Sequence, residues 1–212
     1  MKRFFILTLV VFFSLGIFAQ NNPKARAIID RAATLLQKSG VKVEFSMIVE
    51  DLKATKKQTV KGDLWMKGSK FKLKVADVET FFDGKTQWVY MPKNKEVSVA
   101  NPDAQELQDI NPTLILSGYS KKGIVQFSQG NKADAPTQSI DIFPENKKKP
   151  FFKITVVLDT KSWQLLSIKM YGRNAVNTTM QVNKYQSGVN IDDAMFVFDS
   201  KKYTGVNVND LR

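Results

Sequence analysis

Val41-Lys42-Val43-Glu44-Phe45-Ser46-Met47-Ile48-Val49-Glu50 decides the fold. Val41, Val43, Phe45, Met47 and Val49 alternate with Lys42, Glu44, Ser46, Ile48 and Glu50. Successive side chains of a strand point to opposite faces, so this period of two predicts a strand that is apolar on one side and wet on the other. The preceding residues follow a different period. Ile28, Ile29, Ala32, Leu35 and Leu36 form one stripe at helical spacing. Asn22 suits the cap and Pro23 the first turn, and Ser39-Gly40 ends the helix.

Working downstream, strands are expected at 60–67 and at Phe71, Leu73 and Val75, the latter set against Lys70, Lys72 and Lys74. A fourth ends at Phe81-Phe82, and Asp83-Gly84 turns into a fifth with Thr86, Trp88 and Tyr90 on one face. A sixth begins at Glu96 after a turn from Pro92 to Lys95. Asn101-Pro102 breaks this meander. Leu107, Ile110, Leu114, Ile115 and Leu116, interrupted by Asn111-Pro112, read as one or two short helices. Strands resume at 124–128, 139–143, 151–158, 163–171, 178–185 and finally 195–198, with 204–212 as a tail. Trp65, Trp88 and Trp163 all fall in expected strands. Nothing alternates β with α, which argues against a parallel βαβ architecture. The expected fold is mainly β with helices (α+β): one long curved antiparallel sheet with two helical elements over its concave face.

The chain has 212 residues, 43% of them hydrophobic and 25% charged, which suits a single globular domain. Its first residues are an exception. Lys2-Arg3, the apolar run 4–18 and Ala19 have the form of a secretory signal, too short for a membrane span of about 20 residues. Cleavage after Ala19 is expected, dividing the chain into a signal peptide, 1–19, and one domain, 20–212. The formal charge is +12. For a secreted protein such charge points to anionic membranes or acidic proteins rather than to nucleic acid. Lys56-Lys57, Lys121-Lys122 and Lys147-Lys148-Lys149 read as solvated turns.

Cys and His are absent. That removes disulfides, thiol catalysis, His general bases, Ser-His-Asp triads and zinc sites. Gly84-Lys85-Thr86 resembles the end of a P-loop, but Glu79 stands where the earlier Gly is required. Ser39 with Lys42, and Ser69 with Lys72, have Ser-x-x-Lys spacing; on a strand that offset sends the pair to opposite faces. Asp192-Asp193 reads as a polar turn before a strand. No enzyme or metal site is therefore expected. The remaining signal is the apolar set, and a wide concave face under few helices is a natural ligand site.

Three segments carry a resemblance. They are Gly62-Asp63-Leu64-Trp65-Met66-Lys67 with Phe71-Lys72-Leu73, then Phe82-Asp83-Gly84-Lys85-Thr86-Gln87-Trp88-Val89-Tyr90, then Ala194-Met195-Phe196-Val197-Phe198 with Gly205-Val206-Asn207-Val208. In this order they resemble the LolA family of periplasmic outer-membrane lipoprotein carriers. The resemblance implies a LolA/LolB-like incomplete β-barrel with a helical lid over a hydrophobic cavity. It implies acylated lipoproteins as cargo, an inner-membrane ABC transporter as donor, a LolB-like outer-membrane acceptor, a periplasmic location, a monomer and no cofactor. Set on this chain's alternation, the cavity is expected at Phe45, Met47, Leu64, Met66, Phe71, Leu73, Trp88 and Tyr90, with Leu107, Ile110 and Leu114 on the lid. The family's Arg-Pro after Trp-x-Lys, where the Arg is thought to tie the lid, is replaced by Gly68-Ser69. An RseB-like module that senses lipid or lipoprotein is the alternative on the same fold.

Overall fold

The computed structural model describes residues 21–38, 40–103, 106–107 and 112–212. The signal segment 1–19 and Ile110 lie outside the described residues. Twelve strands build one sheet: β1 Val41–Asp51, β2 Lys56–Lys67, β3 Lys70–Val75, β4 Val78–Phe82, β5 Gln87–Met91, β6 Glu96–Ala100, β7 Gly123–Phe127, β8 Thr137–Pro144, β9 Phe151–Asp159, β10 Leu165–Gly172, β11 Val176–Ser187 and β12 Asn207–Asp210. Helix α1 is Pro23–Lys38 and helix α2 is Pro112–Lys122. The strand order is β12-β6-β5-β4-β3-β2-β1-β11-β10-β9-β8-β7. Its two ends do not pair with each other, so the barrel is incomplete.

Local chemistry explains most boundaries. The Asn22 side chain accepts from the backbone N–H of Lys24 and Ala25 and caps α1. Pro112 opens α2, where its missing N–H costs nothing. The Asp83 carboxylate accepts from the N–H of Lys85 and Thr86, closing the β4–β5 turn that resembled a P-loop.

Four expectations change. The sheet is mixed, because β12 pairs with β6 in parallel. The expected tail therefore forms the edge strand; it is short and exposed, with Val208 its one apolar residue, so no apolar alternation marked it. Residues 195–198 are not a strand. Phe196 and Phe198 are buried while Met195 and Val197 are exposed, so the alternation holds. The segment lies on the outer face of β3 and β4, where no strand edge is available to bond it, and it coils into a 3-10 turn, Asp193–Phe196. Trp163 is in a turn, at φ 59°, rather than a strand. Asp159 ends β9 by accepting from the N–H groups of Lys161 and Ser162, and the Trp163 indole lies under Arg31, 5.1 Å from its ring centre. Finally, the insert's helix continues through Lys122 and packs against α1, so it is core as much as cover.

Register defines two rims. The β1–β2, β3–β4, β5–β6, β8–β9 and β10–β11 turns lie at one end, termed the Leu52 rim. The β2–β3, β4–β5, β7–β8 and β9–β10 turns lie at the other, the Gly68 rim.

One glycine is fixed by packing. Gly62 pairs with Phe45 across β1 and β2. A Cβ on Gly62 would strike the Phe45 ring and stand 2.7 Å from the Lys74 carbonyl oxygen. The aromatic ring covers the gap that the glycine leaves. Gly62→Ala should cost about 1–3 kcal/mol through overpacking, read as a lower urea midpoint with unchanged slope.

Candidate functional site

The inner face is a set of cross-strand rows. Phe82, Phe71, Met66 and Val41 form the row nearest the Gly68 rim, and all four are buried. Leu73, Leu64, Val43 and Tyr185 form the next. Met47, Met180, Ile168, Val156, Ile140 and Phe127 cross the other half. Closest to the Leu52 rim run Val49, Thr178, Met170, Ile154, Ile142 and Val125. Ala25, Ile29, Ala32, Ala33 and Leu36 of α1, with Ile115, Leu116 and Tyr119 of α2, pack into the same core.

Cover is uneven. Phe82, Phe71, Met66 and Val41 are sealed, as are Val125, Ile140, Ile142, Ile154 and Val156 on β7–β9, whereas Phe127 at the end of β7 is half-buried. Met47, Leu73, Val75, Met170 and Met180 are only half-buried, although all belong to the inner face. They make the middle of the inner face an apolar, partly uncovered patch, with Leu73 on the Gly68 side and Met170 nearest the Leu52 rim. Beside it a pocket of about 320 Å³ is lined by Pro150, Phe151, Met170, Val176 and Thr178. A second opening of about 560 Å³ lies between α1 and the β7–β8 turn, against Ile28, Phe127 and Trp163. Methionine thioethers are flexible and polarizable, and suit a wall that meets chains of varied shape. Burial pushes the Tyr185 phenol, opposite Val43 on the inner face, above its ordinary pKa.

The expected cavity residues divide into three groups. Phe45, Leu64, Met66 and Phe71 lie on the inner face and are fully buried in the packed core. Met47 and Leu73 lie in the half-buried patch. Trp88 and Tyr90 do not join them: Trp88 pairs with Phe81, and Phe81 with Lys72, on the outer face. They pack with Phe81, Val97 and Phe198 in a separate cluster. Alternation within β5 was legible, but its phase was not. The β4–β5 turn sets that phase, and it places Gln87 beside Phe82 on the inner face. Of the lid residues, Leu107 packs against the main core as a half-buried side chain and Leu114 is half-buried on α2. Met170 and Met180 were missed, although each stands in an alternating stretch of β10 or β11 that carried the same signal.

Gly68-Ser69 forms the β2–β3 turn, with Gly68 at φ 63°. Its neighbours hold a different polar fastening. Lys67 and Lys70 reach Asp193 at 2.8 and 2.6 Å, pinning the C-terminal segment to the outside of the sheet. Both lysines donating to it hold the Asp193 carboxyl down to a pKa of about 2. A depressed carboxyl stabilises the fold above its unfolded pKa, and that contribution disappears as pH falls from about 4 to about 2. Asp193→Asn should therefore lower the urea midpoint at pH 5 and lower it much less at pH 2. The pair is exposed, so added salt should shrink the difference.

Of the Ser-x-x-Lys candidates, Ser39 lies outside the described residues, and Ser69 and Lys72 form no dyad. Lys72 is paired with Glu79 at 2.8 Å, and Lys42 with Glu44 at 3.5 Å. Asp192 caps the 3-10 turn by accepting from the Ala194 N–H at 2.9 Å, in keeping with a polar turn. No group of three metal-ligating side chains occurs among the described residues.

An open twelve-strand sheet curled on an apolar interior defines an incomplete-barrel protein of the LolA/LolB type. Residues 15–174 match the family described as outer membrane lipoprotein carrier protein LolA, and the chain belongs to that family. No curated protein matches it. An uncharacterized conserved protein from Thermus thermophilus is similar over 88% of this chain and 99% of its own, at 9% identity and a TM-score of 0.60. The LolA superfamily protein NE2245 from Nitrosomonas europaea is similar over 82% of this chain and 97% of its own, at 9% identity and a TM-score of 0.46. The structure of the Pseudomonas aeruginosa MucA/MucB complex is similar over 84% of this chain and 62% of the matched chain, at 12% identity and a TM-score of 0.50.

Proposed function

We propose that this protein is a periplasmic carrier that holds the acyl chains of lipoproteins against its inner face and ferries them from the inner to the outer membrane. The half-buried patch at Met47, Leu73, Met170 and Met180 carries this reading, because it is apolar surface that the fold itself leaves partly uncovered. Each acyl CH₂ in water costs about 0.8 kcal/mol, so a lipoprotein crosses an aqueous space only with its chains covered. Non-directional apolar walls supply that cover and still release the cargo. In this reading segment 1–19 directs export and is removed. An inner-membrane ABC transporter loads the carrier, and a LolB-like acceptor or the outer membrane unloads it. The carrier needs no cofactor and catalyses no reaction. Native mass spectrometry tests this after incubation with spheroplasts that retain outer-membrane lipoproteins. A new soluble 1:1 mass of carrier plus acylated lipoprotein is expected; free protein alone contradicts it.

The likeness to MucB at a TM-score of 0.50 supports a second reading, an RseB-like module that senses lipid or lipoprotein. A stable complex with a membrane signalling protein, without cargo transfer, would favour it.

A further inference from the structure

The two rims differ in charge. The turns and strand ends of the Leu52 rim, at 51–57, 76–77, 92–95, 121–122, 145–150 and 172–175, carry eleven Lys or Arg against three acids. Those of the Gly68 rim, at 67–70, 82–86, 101–103, 128–136, 159–164 and 187–193, carry five against six. Two of those five, Lys67 and Lys70, are engaged by Asp193. On the Leu52 rim, Lys57 reaches half-buried Glu50 at 3.4 Å, and exposed Lys93 reaches exposed Asp77 at 3.3 Å. Adjacent turns are joined there, the Leu52 N–H donating to Ala175 and the Arg173 N–H to Pro150, so the charges ride on one connected surface.

The same rim exposes apolar side chains. Leu52 is 60% exposed at the tip of the β1–β2 turn. Phe152, Val78 and Ile124 are also exposed, beside the β8–β9 turn, the β3–β4 turn and the start of β7. Cations surrounding projecting Leu and Phe suit an interfacial surface, with the charges at anionic headgroups and the apolar tips below them. An acidic protein would match the cations but not the scattered projecting apolar tips.

We propose that the Leu52 rim docks on anionic lipid bilayers, with Leu52 entering the headgroup region. This rests on the charge and exposure pattern, independently of the carrier reading. It would bring the half-buried methionine patch toward the membrane.

Co-sedimentation of cargo-free protein with vesicles tests it. Vesicles of phosphatidylcholine with 30% phosphatidylglycerol should bind at least tenfold more tightly than phosphatidylcholine alone, and 0.5 M salt should remove the difference. Reversing Lys147, Lys148 and Lys149 to Glu should weaken binding at least tenfold. Leu52→Asp should weaken it severalfold. Reversing Lys132 and Lys161 on the Gly68 rim should leave it unchanged. Circular dichroism establishes that each variant is folded. Equal binding to both vesicle types, no binding, or an equal loss from the two sets of reversals would overturn the proposal. Failure here with a lipoprotein complex still seen by mass spectrometry removes the docking surface and leaves the carrier reading standing.

Discussion

Phe45→Ala is expected to destabilise the protein by about 3–5 kcal/mol, enough to unfold a marginal domain. Phe45 is 1% exposed in the middle of β1, the strand that joins the two halves of the sheet. Its ring spans the strand gap to Gly62, which has no side chain to fill the space. Removing the ring forfeits its transfer free energy and leaves a void bounded by β-strand backbone, which cannot collapse without breaking the ladder. The double variant Phe45→Ala/Gly62→Ala should be less destabilised than the sum of the singles. The added methyl then enters the vacated space instead of striking the ring, giving a coupling of about 1 kcal/mol in a urea-denaturation cycle. Strict additivity would show that the two residues do not share the space.

Leu73→Glu is expected to reduce binding of an acylated lipoprotein at least a hundredfold while the protein stays folded. Leu73 is on the inner face, opposite Leu64, and only half-buried. A carboxylate there reaches water in the free protein. Cargo would have to strip that water and bury the charge against hydrocarbon, a penalty of several kcal/mol. The control is Thr59→Glu, the same charge at an exposed site opposite Ile48 on the other face of the sheet. It should bind as the unmodified protein does. Undiminished binding by folded Leu73→Glu would remove the patch from the site.

Much of this was legible in the sequence because period-two alternation maps directly onto sheet faces. Val41, Val43, Phe45, Leu64, Met66, Phe71 and Leu73 all fall on the inner face, as their spacing demanded. Illegible features depended on what lies across space. Trp88 and Tyr90 alternate correctly but face outward, because the β4–β5 turn, not β5, decides which side is inside. Phe196 and Phe198 alternate as a strand does, yet they lie on a sheet face that offers no hydrogen-bonding edge. β12 is four exposed residues held by backbone bonds, such as the Asn207 N–H to the Lys95 carbonyl at 2.8 Å, which no side-chain pattern records. Nor did spacing show which inner residues remain uncovered. That is set by where α1 and α2 lie, and it moved the candidate site from Trp88 and Tyr90 to Met170 and Met180.

In the proposed carrier, cargo acyl chains lie on the inner face at the methionine patch. Photocrosslinking tests it most directly, with benzoylphenylalanine placed at Met47 in one variant and at Trp88 in another, each incubated with an acylated lipoprotein. The account predicts a crosslink from Met47 to the acyl chains and none from Trp88. A crosslink from Trp88 with none from Met47 would contradict it.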